Sequence, residues 1–248
     1  MAAEEVQNHL SKQSDWQEEL SQGKMFGVLI VQTEDGSIGY LTAFSGILAG
    51  KNIHPYFVPP VYDLLQPQGF FKIEEENISA INRRIRRLEE DKKYIDLRSN
   101  LTQTTQSAQD ALSIAKIQLK EAKEKRELLR KTGQLDAKEE ADLIRESQFQ
   151  KAEYKRLERS WKDKIASLQV EAGNWEKQIQ ELKAERKVRS AALQQQLFEQ
   201  FRMLNYRGEV KTLCDIFEQT VHKTPPAGAG ECAAPKLLQQ AYLHHWLS

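Results

Sequence analysis

Cysteine is scarce: Cys214 and Cys232 are the only two in 248 residues. Two thiols cannot make the disulfide framework that holds small secreted domains together. Neither stands in a Cys-x-x-Cys or Cys/His spacing that would ligate a metal. Glycine and proline are also sparse, 12 and 7, and they gather toward the two ends, leaving a long middle with little to interrupt a helix. No stretch approaches the roughly 18 apolar residues of a membrane span. The opening MAAEEVQNHLSKQSDW is acidic and amphipathic, unlike a signal peptide. Net charge is missing too, since 36 Lys+Arg face 36 Asp+Glu, so no overall field draws in nucleic acid, membrane or acidic substrate. These absences lead us to expect a cytoplasmic chain in a reducing compartment, without membrane contact.

What remains is charge and helix. The charged fraction is 29% and the mean hydropathy −0.65, which points to long solvent-exposed helix beside a smaller compact portion. From Glu76 to Asn205 about 28 basic side chains face about 22 acidic ones, a mild excess and a weak pointer to RNA.

Residues 3–21 read as a short helix ending at Gly23. Two apolar runs, Met25–Thr33 and Ile38–Phe44, are rich in β-favouring residues and separated by Glu-Asp-Gly-Ser. They predict a β-hairpin in which Asp35-Gly36 supplies positive-φ turn positions. In the next stretch Pro55, Pro59, Pro60 and Pro67 exclude a long regular element. The dense Tyr56, Phe57, Tyr62, Phe70 and Phe71 predict a packed loop rather than a disordered linker.

From Glu75 the period becomes helical. Ile78, Ile81, Ile85 and Leu88 are followed, after a polar interruption, by Leu101, Thr105, Ala108, Leu112, Ala115, Leu119 and Ala122. The pattern breaks at Lys131–Gln134, with Gly133 placed as a C-cap and Asp136 as an N-cap. A second stripe runs from Tyr154 through Leu157, Trp161, Ile165, Leu168, Ala172, Trp175, Ile179 and Leu182 to Leu204. Two such stripes joined by a turn near 132–135 predict an antiparallel coiled-coil hairpin, its first arm about 55 residues or roughly 80 Å long. Such a hairpin returns its second arm to where the first began. The predicted fold is therefore α+β and mostly α: a discontinuous head made of 1–74 and 206–248, with the coiled coil 75–205 inserted into it.

Two local features attract chemistry. Cys214 sits on the apolar side of VKTLCDIFEQTV and reads as a buried small hydrophobe. The string TPPAGAGECAAPKLL (Thr224–Leu238) allows three readings. Cys232 could be a nucleophile activated at a helix N-terminus, but Glu231 beside it would raise the thiol pKa and no histidine is tied to it by spacing. His244 and His245 complete only the weakest enzyme reading. Gly228-Ala229-Gly230 could cradle a phosphate, but the Gly-Lys-Ser/Thr ending of a nucleotide loop is absent. The third reading is a structural elbow: the glycines turn the chain, Pro235 starts a helix to Leu247, and Leu237, Leu238, Ala241 and Tyr242 form its buried stripe.

The strings KMFGVLIVQTEDGSIGYLTAFSGILAGKNIHPYFVPPVYDLL, LNYRGEVKTLCDIF and TPPAGAGECAAPKLLQQAYLHH resemble the N-terminal extension of a bacterial branch of the RluA-type RNA pseudouridine synthases. The resemblance spans most of the chain, helical insertion included. It implies RNA, ribosomal or transfer, as partner, and an isomerisation that needs no metal or nucleotide cofactor. It also implies a C-terminal catalytic domain bearing an Arg-Leu-Asp motif. No such motif occurs here; RRLEED (Arg86–Asp91) and KRLERS (Lys155–Ser160) carry Glu instead, on coiled-coil helices. The chain ends at Ser248, about where that catalytic portion would begin. The expectation is a non-catalytic accessory region with no catalytic, cofactor or metal residues, whose RNA or domain contacts fall at Gly228, Gly230, Glu231, Cys232 and Lys236. The alternative is a structural coiled-coil or dimerisation module without RNA binding.

Overall fold

The computed structural model describes residues 1–246. In chain order the elements are α1 (Ala2–Ser11), a single 3-10 turn (Ser14–Trp16), α2 (Gln17–Ser21), β1 (Phe26–Gln32), β2 (Ile38–Phe44), α3 (Phe70–Glu89) and α4 (Lys92–Thr132). They continue with α5 (Ala137–Gln200), β3 (Arg202–Leu204), β4 (Val210–Thr212), α6 (Leu213–Glu218), a second 3-10 turn (Ala229–Glu231) and α7 (Ala233–Leu243). Helix accounts for 66% of the chain, so the α+β class with a helical majority holds. The chain divides into two compact units: Met1–Ala80 with Arg186–Ser248, and Ile81–Glu185. Among the described residues no helix is long and apolar enough to cross a membrane.

The first unit is built on the β1–β2 hairpin, paired antiparallel from Phe26↔Phe44 to Gln32↔Ile38. Its turn differs from the sequence expectation. Gly36 alone takes positive φ, 82°, while the Asp35 carboxylate accepts from the Ser37 amide at 3.1 Å. Alternation then assigns two faces. Phe26 and Phe44 belong to a cluster with Trp16, Leu48 and Phe57. Leu29, Leu41 and Ala43 on the other face meet Ala233 and Leu237 of α7. A Cβ on Gly27 would lie 3.0 Å from Ala233 Cβ, so the missing side chain lets α7 come down onto the strands.

The proline-rich segment packs as expected up to Gly69. Phe70 and Phe71, expected in that loop, already open α3 ahead of Glu75, since no proline closely follows Pro67 to interrupt a helix. Thr42 Oγ1 donates to the Tyr56 carbonyl at 2.6 Å, and the Val58 amide donates to the Thr42 carbonyl at 2.8 Å. The loop thus satisfies a backbone group that a buried strand edge would otherwise leave open. A further core of Leu64, Leu197, Phe198, Phe201 and Leu213 closes the unit. Within it Arg189 donates to both carboxylate oxygens of Glu74, at 2.6 and 2.9 Å. That bidentate bond, with a hydrogen bond from Asn77, holds the Glu74 carboxyl down at about 2.

Two further boundaries depart from expectation. The N-terminal helix is broken at Lys12–Gln13 into α1 and the pieces after it. The second arm ends at Gln200, because Arg202–Leu204 pairs with Val210–Thr212 as a second hairpin. Its tight turn needs Gly208 at φ 79°. Val210–Val221 is therefore a short strand followed by α6, whose N-terminus carries a reciprocal capping box between Thr212 and Asp215.

The second unit is a helical hairpin. Its cross-arm contacts run Arg130 with Glu140, Arg126 with Gln150, Tyr94 with Trp175 and Glu89 with Lys183. Numbers fall on one arm as they rise on the other, so the arms are antiparallel. The seam includes Ile81, Ile85, Ile179 and Leu182, with Ala108 facing inward at 3% exposure and Ala172 likewise. Small residues on the arms allow close approach, and larger rings fill the wider places. Asp136 caps α5 as expected, accepting from the Glu139 amide while Glu139 accepts from the Asp136 amide, both at 2.8 Å. Gly133 follows α4 as its cap, though at φ −108° it is not left-handed. The polar interruption is a true break: Asp91 ends the connection from α3 and caps α4 through the Lys93 amide at 2.8 Å.

Candidate functional site

Gly228, Gly230, Glu231, Cys232 and Lys236 come together where the chain enters α7. Gly228 is left-handed at φ 76° and turns the chain. The Ala229 amide then donates to the Pro226 carbonyl at 3.1 Å and the Glu231 amide to the Gly228 carbonyl at 2.9 Å. The Ala229 and Glu231 amides, spent in this way, do not face an anion as a phosphate cradle would require of them. Gly230 is buried against the face of Phe201: a Cβ there would lie 2.6 Å from Phe201 Cδ2 and closer still to Cγ and Cδ1.

The loop is tied to the end of β2. The Gly46 amide donates to the Glu231 carbonyl at 3.0 Å, and the Ala233 amide donates to Ser45 Oγ at 3.2 Å. Lys236 is 3% exposed. Its ammonium donates to the Phe44 carbonyl at 2.8 Å and lies 4.8 Å from the Phe44 ring centroid. Burial pulls the Lys236 pKa down and the Glu231 anion opposes that pull. For Glu231 the order is the same: burial raises its carboxyl, with Lys236 and Lys24 pulling it back. This is a partly buried charge cluster anchoring a helix, a role the spacing did not reveal for Lys236.

Cys232 is exposed, and its sulfur lies 3.8 Å from the Gly228 carbonyl. His244 is hydrogen-bonded to Gln240 at 2.7 Å and stacked on Trp246, so it serves its own helix end and not the thiol. Cys214 packs on the apolar core as its pattern indicated, but it is half-buried rather than buried, and Gln195 Nε2 lies 3.4 Å from its sulfur. Among the described residues no group of three His, Cys, Asp or Glu could hold a metal ion.

The helix itself differs from expectation. It begins at Ala233, with Cys232 in the cap position and Pro235 third, still inside the turn where a missing amide costs no intrahelical bond. It ends at Leu243; Leu247, the expected end, lies outside the described residues. The buried stripe is Ala233, Lys236, Leu237 and Ala241. Leu238, expected inside, is 37% exposed. It lines an apolar groove of about 590 Å³ together with Met203, Leu204, Ile216, Phe217 and Tyr242.

No protein-family model, curated protein or solved structure matches this chain. The class that the fold defines is a discontinuous α+β head with an antiparallel helical hairpin inserted in its sequence.

Proposed function

We propose that this chain is the non-catalytic accessory region of an RNA pseudouridine synthase of the RluA type, holding RNA or the catalytic domain in place for rRNA or tRNA modification. The observation that carries the reading is where the resembling strings lie. Residues 24–65, 204–217 and 224–245 are far apart in sequence, yet all three belong to one compact unit. The three strings are joined there through Lys236 on the Phe44 carbonyl and the Leu204 amide on Gln239 Oε1, which supports reading them as one accessory body.

The acids agree with a non-catalytic role. The Asp63 carboxylate accepts from Asn52 Nδ2 at 2.6 Å and from the Leu65 amide at 2.9 Å, and Asp215 is spent in the α6 cap. Glu89 of the first Arg-Leu-Glu string is held by Lys183 at 2.7 Å. Incubated with total RNA, the chain alone should form no pseudouridine. Turnover that disappears in Asp63→Ala or Asp215→Ala would overturn this reading.

The apolar groove beside Leu238 favours a second reading, a protein-interaction module without RNA. That reading requires a chain indifferent to RNA at low salt.

A further inference from the structure

The four arginines of Arg83–Arg87 surround one seam residue. Ile85 is buried against Ile179 and Leu182, while Arg83, Arg84, Arg86 and Arg87 are all exposed. At about 100° per residue they cover an arc of roughly 160° centred opposite the seam. From Asn77 to Leu88 the sequence has no acid. Elsewhere on the arms several bases are balanced one turn away, as in Lys120–Glu124, Lys123–Glu127 and Lys177–Glu181. Arg84, Arg86 and Arg87 make no ion pair or side-chain hydrogen bond among the described residues. The α3 dipole favours a cation in its last turn, where Arg86 and Arg87 lie, but it calls for neither Arg84 nor guanidinium in particular.

Resting on the RNA reading above, we infer that this outward face of α3 is a contact for the sugar-phosphate backbone of structured RNA. Arg83 to Arg87 span about 6 Å of helix axis, room for about two phosphates of one strand at 3.4 Å rise each and for others across a groove. Arginine suits phosphate because its planar fork donates two parallel hydrogen bonds. Two other polyanion-like partners fit less well. A basic helix that lies on a membrane must offer its apolar face to the lipid, and here Ile81 and Ile85 are spent in the seam. A protein interface is anchored by buried aromatic or aliphatic side chains. The nearest exposed large apolar residues, Ile73 and Ile95, lie outside the arginine stretch.

The test uses the full chain, a fluorescent RNA stem-loop and anisotropy titrations over a range of salt. The triple variant Arg84→Gln, Arg86→Gln, Arg87→Gln should weaken binding tenfold or more and flatten the slope of log affinity against log salt by about 2–3. Its circular dichroism melt should be unchanged. The control Lys120→Gln, Lys123→Gln, Lys125→Gln removes equal charge from the same arms and should change affinity less than threefold. Equal losses in both triples, or no loss in the arginine triple while the parent chain binds, overturn the inference alone. Failure of the parent chain to bind RNA at low salt overturns the RNA-holding form of the proposed function and this inference together. Phosphatidylserine vesicles and polyglutamate serve as parallel probes, and an arginine-dependent affinity for either that exceeds the affinity for RNA also overturns it.

Discussion

Gly230→Val should destabilise the head by about 3 kcal/mol, at the upper end of what over-packing a core costs. The sequence expectation gave this glycine backbone freedom as its reason, but left-handed geometry belongs to Gly228, at φ 76°. What Gly230 supplies is the absence of a Cβ, because the Phe201 ring occupies that space and is itself only 2% exposed. The ring cannot retreat without disturbing Leu64, Leu197 and Leu213, packed in the same cluster. Even Gly230→Ala should lower the urea midpoint of the head. The double variant Gly230→Ala, Phe201→Leu should recover part of the Gly230→Ala loss relative to Phe201→Leu alone, the non-additivity expected of residues in contact. An unchanged midpoint in Gly230→Val would mean that the loop is not seated on the core.

Lys236→Glu should be worse, costing about 3–5 kcal/mol, the range for leaving a charge uncompensated in the interior. The new carboxylate would meet the Phe44 carbonyl, which now accepts from the ammonium at 2.8 Å, and would sit near Glu231, whose pKa burial already raises. Lys236→Met keeps the aliphatic stem but leaves the Phe44 carbonyl without its donor, at about 1–3 kcal/mol. The order Met milder than Glu, measured by denaturant midpoints, identifies the ammonium as a structural cation. Tolerance of Glu within about 0.5 kcal/mol would show that the side chain reaches solvent.

Both variants lie in a string that looked like a reactive site, although the sequence already spoke against a thiol nucleophile and a nucleotide loop and offered the elbow. Period and punctuation were legible: alternation and Asp35-Gly36 gave the first hairpin, the seam residues gave two arms, and Asp136 marked the start of α5. Features below the resolution of a period were not. β3 and β4 have three residues each, too few to alternate visibly, though Gly208 between apolar pairs is a turn signal that could have been read. Asp91 before Lys92-Lys93-Tyr94 is likewise a legible N-cap hidden within a charged run. Lys236 and Phe201 became interpretable only once the fold brought residue 44 to 236 and 201 to 230. Such partners are set by tertiary packing and leave no local mark. Leu238 shows the same limit: helical spacing alone does not say which side of a stripe is covered.

The central proposal, in the form in which the chain holds RNA, is tested most directly by titrating the unmodified chain with a structured ribosomal or transfer RNA at about 50 and about 200 mM salt. Neutralising about three phosphates predicts that affinity falls roughly thirty-fold to forty-fold between the two. Absence of binding at the lower salt, or an affinity indifferent to salt, would contradict the account.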